Sequence, residues 1–96
     1  MVLHTLSASP ASAAFTDCAR LLNSGDALVL MGDGVYAALA GTGPLETLRT
    51  SGAELYLLAA DAAAAGIQDA PPGVDAIDMD GFVALSERFP RQLAWY

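Results

Sequence analysis

Apolar residues in this chain gather into five short runs, and the segments between them carry helical spacing. Val2 to Leu6 is the first run and reads as a strand, with His4 and Thr5 in its middle. Ser9-Pro10 follows, a good N-cap and a good first helical residue, so a helix is predicted from about Pro10. Its apolar positions are Ala11, Ala14, Phe15, Cys18, Leu21 and Leu22, spaced three and four apart as one buried face requires. Thr16, Asp17, Arg20 and Asn23 face the other way, and Gly25 closes the segment.

Ala27 to Met31 is apolar without alternation, which is the pattern of a strand covered on both faces. It ends at Gly32-Asp33-Gly34, and Val35 to Ala40 reads as a short helix. Gly41 to Gly43 with Pro44 reads as a loop, and Leu45 to Arg49 as a further helical turn. Glu54 to Ala59 is the third strand. Asp61 is read as the N-cap of a helix over Ala62 to Ala65 that Gly66 stops. After the turn-rich Asp69 to Gly73, Val74 to Ile77 forms a fourth strand. Asp80 is read as the cap of a helix from Gly81 to Phe89, with Phe82, Val83, Leu85 and Phe89 on its apolar face. Pro90 ends that helix, and Gln92 to Tyr96 adds a terminal strand carrying Trp95. Strict strand–helix alternation predicts an α/β domain, a parallel sheet with helices on both faces and right-handed crossovers. The 96 residues predict one domain, 1–96.

Composition narrows what such a domain does. Hydrophobic residues make up 54% of the chain and charged residues only 16%, against about 25% charged in an average soluble domain. A small domain has much surface for its volume, so the shortage of charge predicts apolar surface covered by another chain. Eleven carboxylates against four arginines give a net charge of −7, and there is no lysine. Direct binding to a nucleic-acid backbone is therefore not expected. Lysine Schiff-base chemistry and a P-loop lysine are excluded outright. No basic n-region precedes an apolar stretch, and no run approaches the ~20 residues of a membrane span. One unpaired cysteine fits a reducing compartment, so the expected location is the cytoplasm.

Cys18 is the one thiol. It is either a small core residue or a nucleophile, because an apolar setting raises a thiol's pKa and makes it inert. Asp17 beside it opposes thiolate formation, and Arg20 offsets that only by folding back. Gly32-Asp33-Gly34 lies where a strand meets a helix, the edge of an open α/β sheet at which ligands bind. The position three beyond Gly34 is Ala37, so the dinucleotide fingerprint is incomplete, and Asp33 repels phosphate. A tight turn with an Asp cap accounts for the same residues. Asp75, Asp78 and Asp80 lack the spacing of a calcium loop, and no metal or cofactor is expected. His4 has no second histidine for a metal site and reads as a hydrogen-bonded structural residue, although a thiol–imidazole pair with Cys18 is open to it. Trp95 and Tyr96 supply aromatic surface for an interface or for the domain's own core.

Leu3-His4-Thr5-Leu6, Ser9-Pro10, Asp33-Gly34-Val35 with Ala37-Ala38, and Gln92-Leu93-Ala94-Trp95 together resemble the TusB/DsrH family. Order, spacing and chain length agree over nearly the full sequence. The resemblance implies a DsrE-like fold, three layers α/β/α with a mainly parallel five-stranded sheet. It implies a subunit of a persulfide relay, assembled with TusC/DsrF-like and TusD/DsrE-like subunits as a heterohexamer with two copies of each. The sulfur would serve 2-thiouridine at the tRNA wobble base or sulfur oxidation. The main sulfur-accepting cysteine in such complexes belongs to the TusD/DsrE subunit, while DsrH members carry a cysteine near the position of Cys18. Gly32 departs from the Gln or Glu that often precedes Asp-Gly in the family. Three functions follow as expectations. The chain is an accessory subunit, a sulfurtransferase with Cys18 as its catalytic persulfide carrier, or a small homo-oligomeric anion- or nucleotide-binding module using Gly32 to Gly34.

Overall fold

The computed structural model describes residues 1–39 and 43–96. Five strands, β1 (Val2–Leu6), β2 (Ala27–Leu30), β3 (Glu54–Leu58), β4 (Val74–Ile77) and β5 (Arg91–Trp95), form one sheet in the order β4-β3-β2-β1-β5. Every pairing is parallel. The helices are α1 (Ala13–Leu21), α2 (Gly43–Arg49), α3 (Ala59–Ala64) and α4 (Met79–Glu87), with a 3₁₀ helix over Gly32–Ala38.

Strand order fixes which face each helix covers. The chain steps from β1 to β4 in one direction, then returns across the whole sheet to place β5 beside β1. Right-handed crossovers put connections of opposite direction on opposite faces. The core divides accordingly. Leu6, Leu28, Leu30, Leu55 and Leu57 pack under Phe15 and Cys18 of α1, Val35 of the 3₁₀ helix and Leu45 and Leu48 of α2. Leu3, Ala27 and Val29, the alternate strand positions, pack under Leu85 of α4 and Phe89 just beyond it. Burial of all four β2 residues matches its unbroken apolar run. Full burial of each Leu or Val is worth about 1.5–3 kcal/mol.

Several element boundaries differ from the sequence expectation, each for a local reason. Helix α1 is capped by Ser12, whose hydroxyl accepts from Phe15 N, and Ser9 instead builds the preceding turn by accepting from the Ala11 and Ser12 amides. Leu21 is 54% exposed while Leu22 is buried, because the helix has ended and Leu22 has extended backbone. Asp78, not Asp80, caps α4 by accepting from Gly81 N at 2.8 Å. Val83 is 51% exposed, off the face that carries Leu85. Helix α3 begins directly after β3 with no side-chain cap, so Asp61 lies inside its first turn. Gly66, at φ 83°, stops that helix as expected. Segment 32–38 is 3₁₀ rather than α-helical and starts three residues early. The predicted helix end at Ala40 and the loop residues Gly41 and Thr42 lie outside the described residues.

Gly34 explains how the 3₁₀ segment seats on the sheet. A β-carbon there would overlap the Leu6 carbonyl oxygen, so only glycine permits the approach. Leu6 O meanwhile accepts from Met31 N at 3.0 Å, and Gly34 N donates back to Met31 O at 2.8 Å.

Candidate functional site

Cys18 lies on the sheet-facing side of α1 and is 0% exposed, among the buried leucines of the larger core cluster. Burial pushes its thiol up from 9.0 to about 12. Arg20 does not reach it, since its guanidinium turns to Asp17 at 3.5 Å on the exposed side of the helix. The groove between α1 and α2 is lined by Phe15, Thr16, Ala19, Arg20 and Thr47, and Cys18 does not open into it. A thiol in this setting is a weak nucleophile, because burial disfavours the thiolate that would attack a persulfide.

His4 is not paired with Cys18; its ring is taken by two other side chains. Trp95 Nε1 donates to His4 Nδ1 at 3.1 Å, and His4 Nε2 lies 3.2 Å from Asp26 Oδ2. An indole nitrogen can only donate, so Nδ1 is the acceptor and Nε2 carries the proton. The imidazole is thereby fixed in orientation, with Nε2 donating to the carboxylate. The two rings also stack, with centroids 6.2 Å apart and planes 20° from parallel. Asp26 completes the network by accepting from Val2 N at 2.9 Å and from Asn23 N at 3.0 Å. Burial alone would raise the Asp26 carboxyl, but the two backbone N–H groups and His4 outweigh it and hold it below the usual carboxylate range. His4 and Asp26 are 1% and 4% exposed.

Three distant stretches of chain meet in this triad, and sequence reasoning singled out two of its members. Asp26 was not among the candidates. Its signal is a carboxylate immediately before a wholly apolar strand, a place where a charge survives only with several donors. Both ring nitrogens of His4, both carboxylate oxygens of Asp26 and the indole nitrogen of Trp95 are engaged in hydrogen bonds. The triad ties β5 to β1 and to the start of β2.

The Gly32–Gly34 edge is also occupied from within. Gly32 N donates to Asp61 Oδ2 at 2.8 Å, and Gly34 N is bonded to Met31 O. The two glycine amides are therefore engaged, and Asp33 and Asp61 line the depression there with Tyr36. This geometry opposes the anion- or nucleotide-binding expectation on both hydrogen-bonding and electrostatic grounds. Asp75, Asp78 and Asp80 do not converge. Among the described residues no group of three or more His, Cys, Asp or Glu side chains is placed to hold a metal ion. No helix among them is long and apolar enough to cross a membrane.

Exposed apolar side chains are the remaining feature. Met79 and Val83 of α4, Leu21 at the end of α1, Leu93 of β5 and Tyr96 are all 46–88% exposed. Four of the five β5 residues are exposed, whereas β2 is wholly buried. Trp95 divides between the two roles expected of it, its indole nitrogen in the core network and its ring only partly buried.

Comparison with known proteins agrees with this architecture. The family model described as "DsrH like protein" matches residues 8–92. Protein TusB of Pectobacterium parmentieri is 44% identical over 95 residues, covering 98% of this chain and 100% of its own length. Protein TusB of Escherichia coli strain K12 is 40% identical over the same extent. The crystal structure of the YchN protein from E. coli has a TM-score of 0.74 at 18% identity, over 98% of this chain and 97% of that one, and this likeness shows the fold. Matched by its family model over most of its length and by relatives over nearly all of it, the chain belongs to the TusB/DsrH family.

Proposed function

We propose that this chain is a non-catalytic subunit of a cytoplasmic sulfur relay that supplies 2-thiouridine at the tRNA wobble position. Its partners would be TusC/DsrF-like and TusD/DsrE-like subunits in a heterohexamer, and the travelling persulfide would sit on a partner's cysteine. The relatives matched here bear the name TusB, which favours the tRNA branch over sulfur oxidation.

The observation that carries the accessory role is the burial of the chain's one thiol. Persulfide transfer requires a thiolate that can reach the donor's terminal sulfur. The enclosure of Cys18 and the upward push that burial gives its pKa support the accessory reading. Exposed Leu21, Leu93, Val83 and Tyr96 support a contribution through contact area. The competing reading, a persulfide on Cys18, needs α1 to lift from the sheet when a partner binds.

Deleting the gene and measuring tRNA nucleosides by mass spectrometry tests the proposal. Loss of 2-thiouridine, restored equally by the wild type and by Cys18→Ala, is the expected result. Unchanged 2-thiouridine would sink the tRNA role. A Cys18→Ala protein that assembles with its partners yet fails to restore the nucleoside would make Cys18 a relay station.

A further inference from the structure

β5 is held to the domain differently from the other strands. Among the described residues, β1, β2, β3 and β4 each place a buried side chain in one of the two core clusters, and β5 places none. Arg91, Gln92, Leu93 and Ala94 are exposed, and only Trp95 packs, partly buried, against the larger cluster. The strand has one neighbour, β1, whereas β1, β2 and β3 are each paired on both sides. Immediately before it the chain is pinned. Phe89 is buried in the smaller cluster, and Pro90 separates that anchor from Arg91.

Its side-chain ties are as few. Gln92 Nε2 donates to Ser86 O at 3.2 Å, an exposed bond back to α4. Ser7 Oγ donates to Trp95 O at 3.2 Å. The tie from a β5 side chain to a buried partner is Trp95 Nε1 to His4 Nδ1, at 3.1 Å. Asp26 does not depend on it, since its carboxylate accepts from Val2 N, Asn23 N and His4 Nε2. Parting residues 91–95 from β1 therefore breaks one ladder and uncovers one indole, while both core clusters keep every buried member. Against that loss, five residues regain backbone freedom. Regions with few buried apolar contacts open locally, on the μs–s scale, without the rest of a domain.

From these observations we propose that β5 is a latched strap. It opens as a unit about Pro90 while β1 to β4 stay folded, and the Trp95–His4 hydrogen bond is its latch. Closed, the strap covers the edge of β1 and occupies the acceptor nitrogen of His4. Open, it frees Nδ1 alone, on an imidazole that Asp26 still holds through Nε2. The strap is thus a gate over the His4–Asp26 pair. It does not depend on the sulfur-relay reading, and its failure would leave that reading intact.

Amide hydrogen exchange of the isolated chain, followed by NMR, tests the proposal. A strand residue turns its N–H and C=O to one side, and the next residue turns both away. Trp95 O accepts from Ser7 N at 3.0 Å, so the Leu93 and Trp95 N–H groups also face β1 and, with Ser7 N–H, report on the strap. These three should exchange at least about ten-fold faster than the amides of β2, which wait for global unfolding. Val35→Ala removes buried methyl groups from the 3₁₀ helix, which packs on β2 and β3. It should speed β2 exchange at least about ten-fold and leave the strap amides unchanged. Trp95→Phe should speed the strap amides about five-fold. Strap amides that match β2 in the wild type, that accelerate together with β2 in Val35→Ala, or that Trp95→Phe leaves unchanged would overturn the proposal.

Discussion

Replacing Asp26 by Asn changes one oxygen to an amide nitrogen and tests the buried network directly. Oδ2 receives two donors, Asn23 N and His4 Nε2, and Oδ1 receives Val2 N. The asparagine oxygen must face the pair of donors, because its amide group there would oppose both. Its NH₂ then faces the Val2 N–H, leaving that donor unpaired at a cost of about 1 kcal/mol, the low end for a partly buried group. Two charge-assisted bonds also become neutral ones, each weaker by about 1 kcal/mol. The sum is roughly 3 kcal/mol, a large share of the 5–15 kcal/mol typical of a small domain. Urea unfolding at pH 7 followed by Trp95 fluorescence should show the midpoint falling by about 2 M at an m-value of roughly 1.5 kcal/mol/M. The sign of the pH dependence is fixed as well. Asp26 is held below its unfolded value, so its contribution is complete above about pH 4 and lost as pH falls through the lower folded value. The gap between wild type and Asp26→Asn should therefore narrow in acid. A variant within about 0.5 kcal/mol of wild type at pH 7, or a gap that widens in acid, would refute the account of the triad.

Other substitutions probe separate links. Gly34→Ala drives a methyl into the Leu6 carbonyl and should lower Tm by about 10 °C or more, whereas Gly43→Ala, with open space around it, should be close to neutral; thermal melts compare the two. Trp95→Phe keeps an aromatic ring over His4 but removes the indole donor, so hydrogen exchange in β5 should speed up about five-fold, the equivalent of one hydrogen bond of ~1 kcal/mol. A thiol raised from 9.0 to about 12 has roughly a thousandth of the ordinary thiolate population at pH 8. Native Cys18 should accordingly react with iodoacetamide at least about a thousand times more slowly than the unfolded chain, and comparable rates would mean that α1 does not bury it.

The sheet was legible because its evidence is local. Ala27–Leu30 has no polar residue and is buried on both faces, and a glycine or proline follows each helix before the next strand, so alternation and parallel order followed. Cap positions were less legible because Ser9 and Ser12, or Asp78 and Asp80, are equivalent by type. The choice falls to whichever hydroxyl or carboxylate meets an amide, Ser12 with Phe15 N and Asp78 with Gly81 N. Asp61 illustrates the same limit. It sits where a cap is expected, yet its partner is Gly32 N, 29 residues away and brought near only by folding. The His4–Asp26–Trp95 network joins both ends of the chain, and no spacing rule links residues 4, 26 and 95. Cys18 was placed on the buried face by helical period alone, and its lack of a cation follows from Arg20 turning to Asp17.

The central claim is that this chain supports a sulfur relay without carrying the sulfur. Its most direct test is the intact mass of the protein after exposure to a persulfide donor, first alone and then with its partner subunits. The account predicts no added sulfur on this chain in either state, with the gain found on a partner. A gain of one sulfur atom here that disappears in Cys18→Ala would contradict it and make the buried thiol a working station.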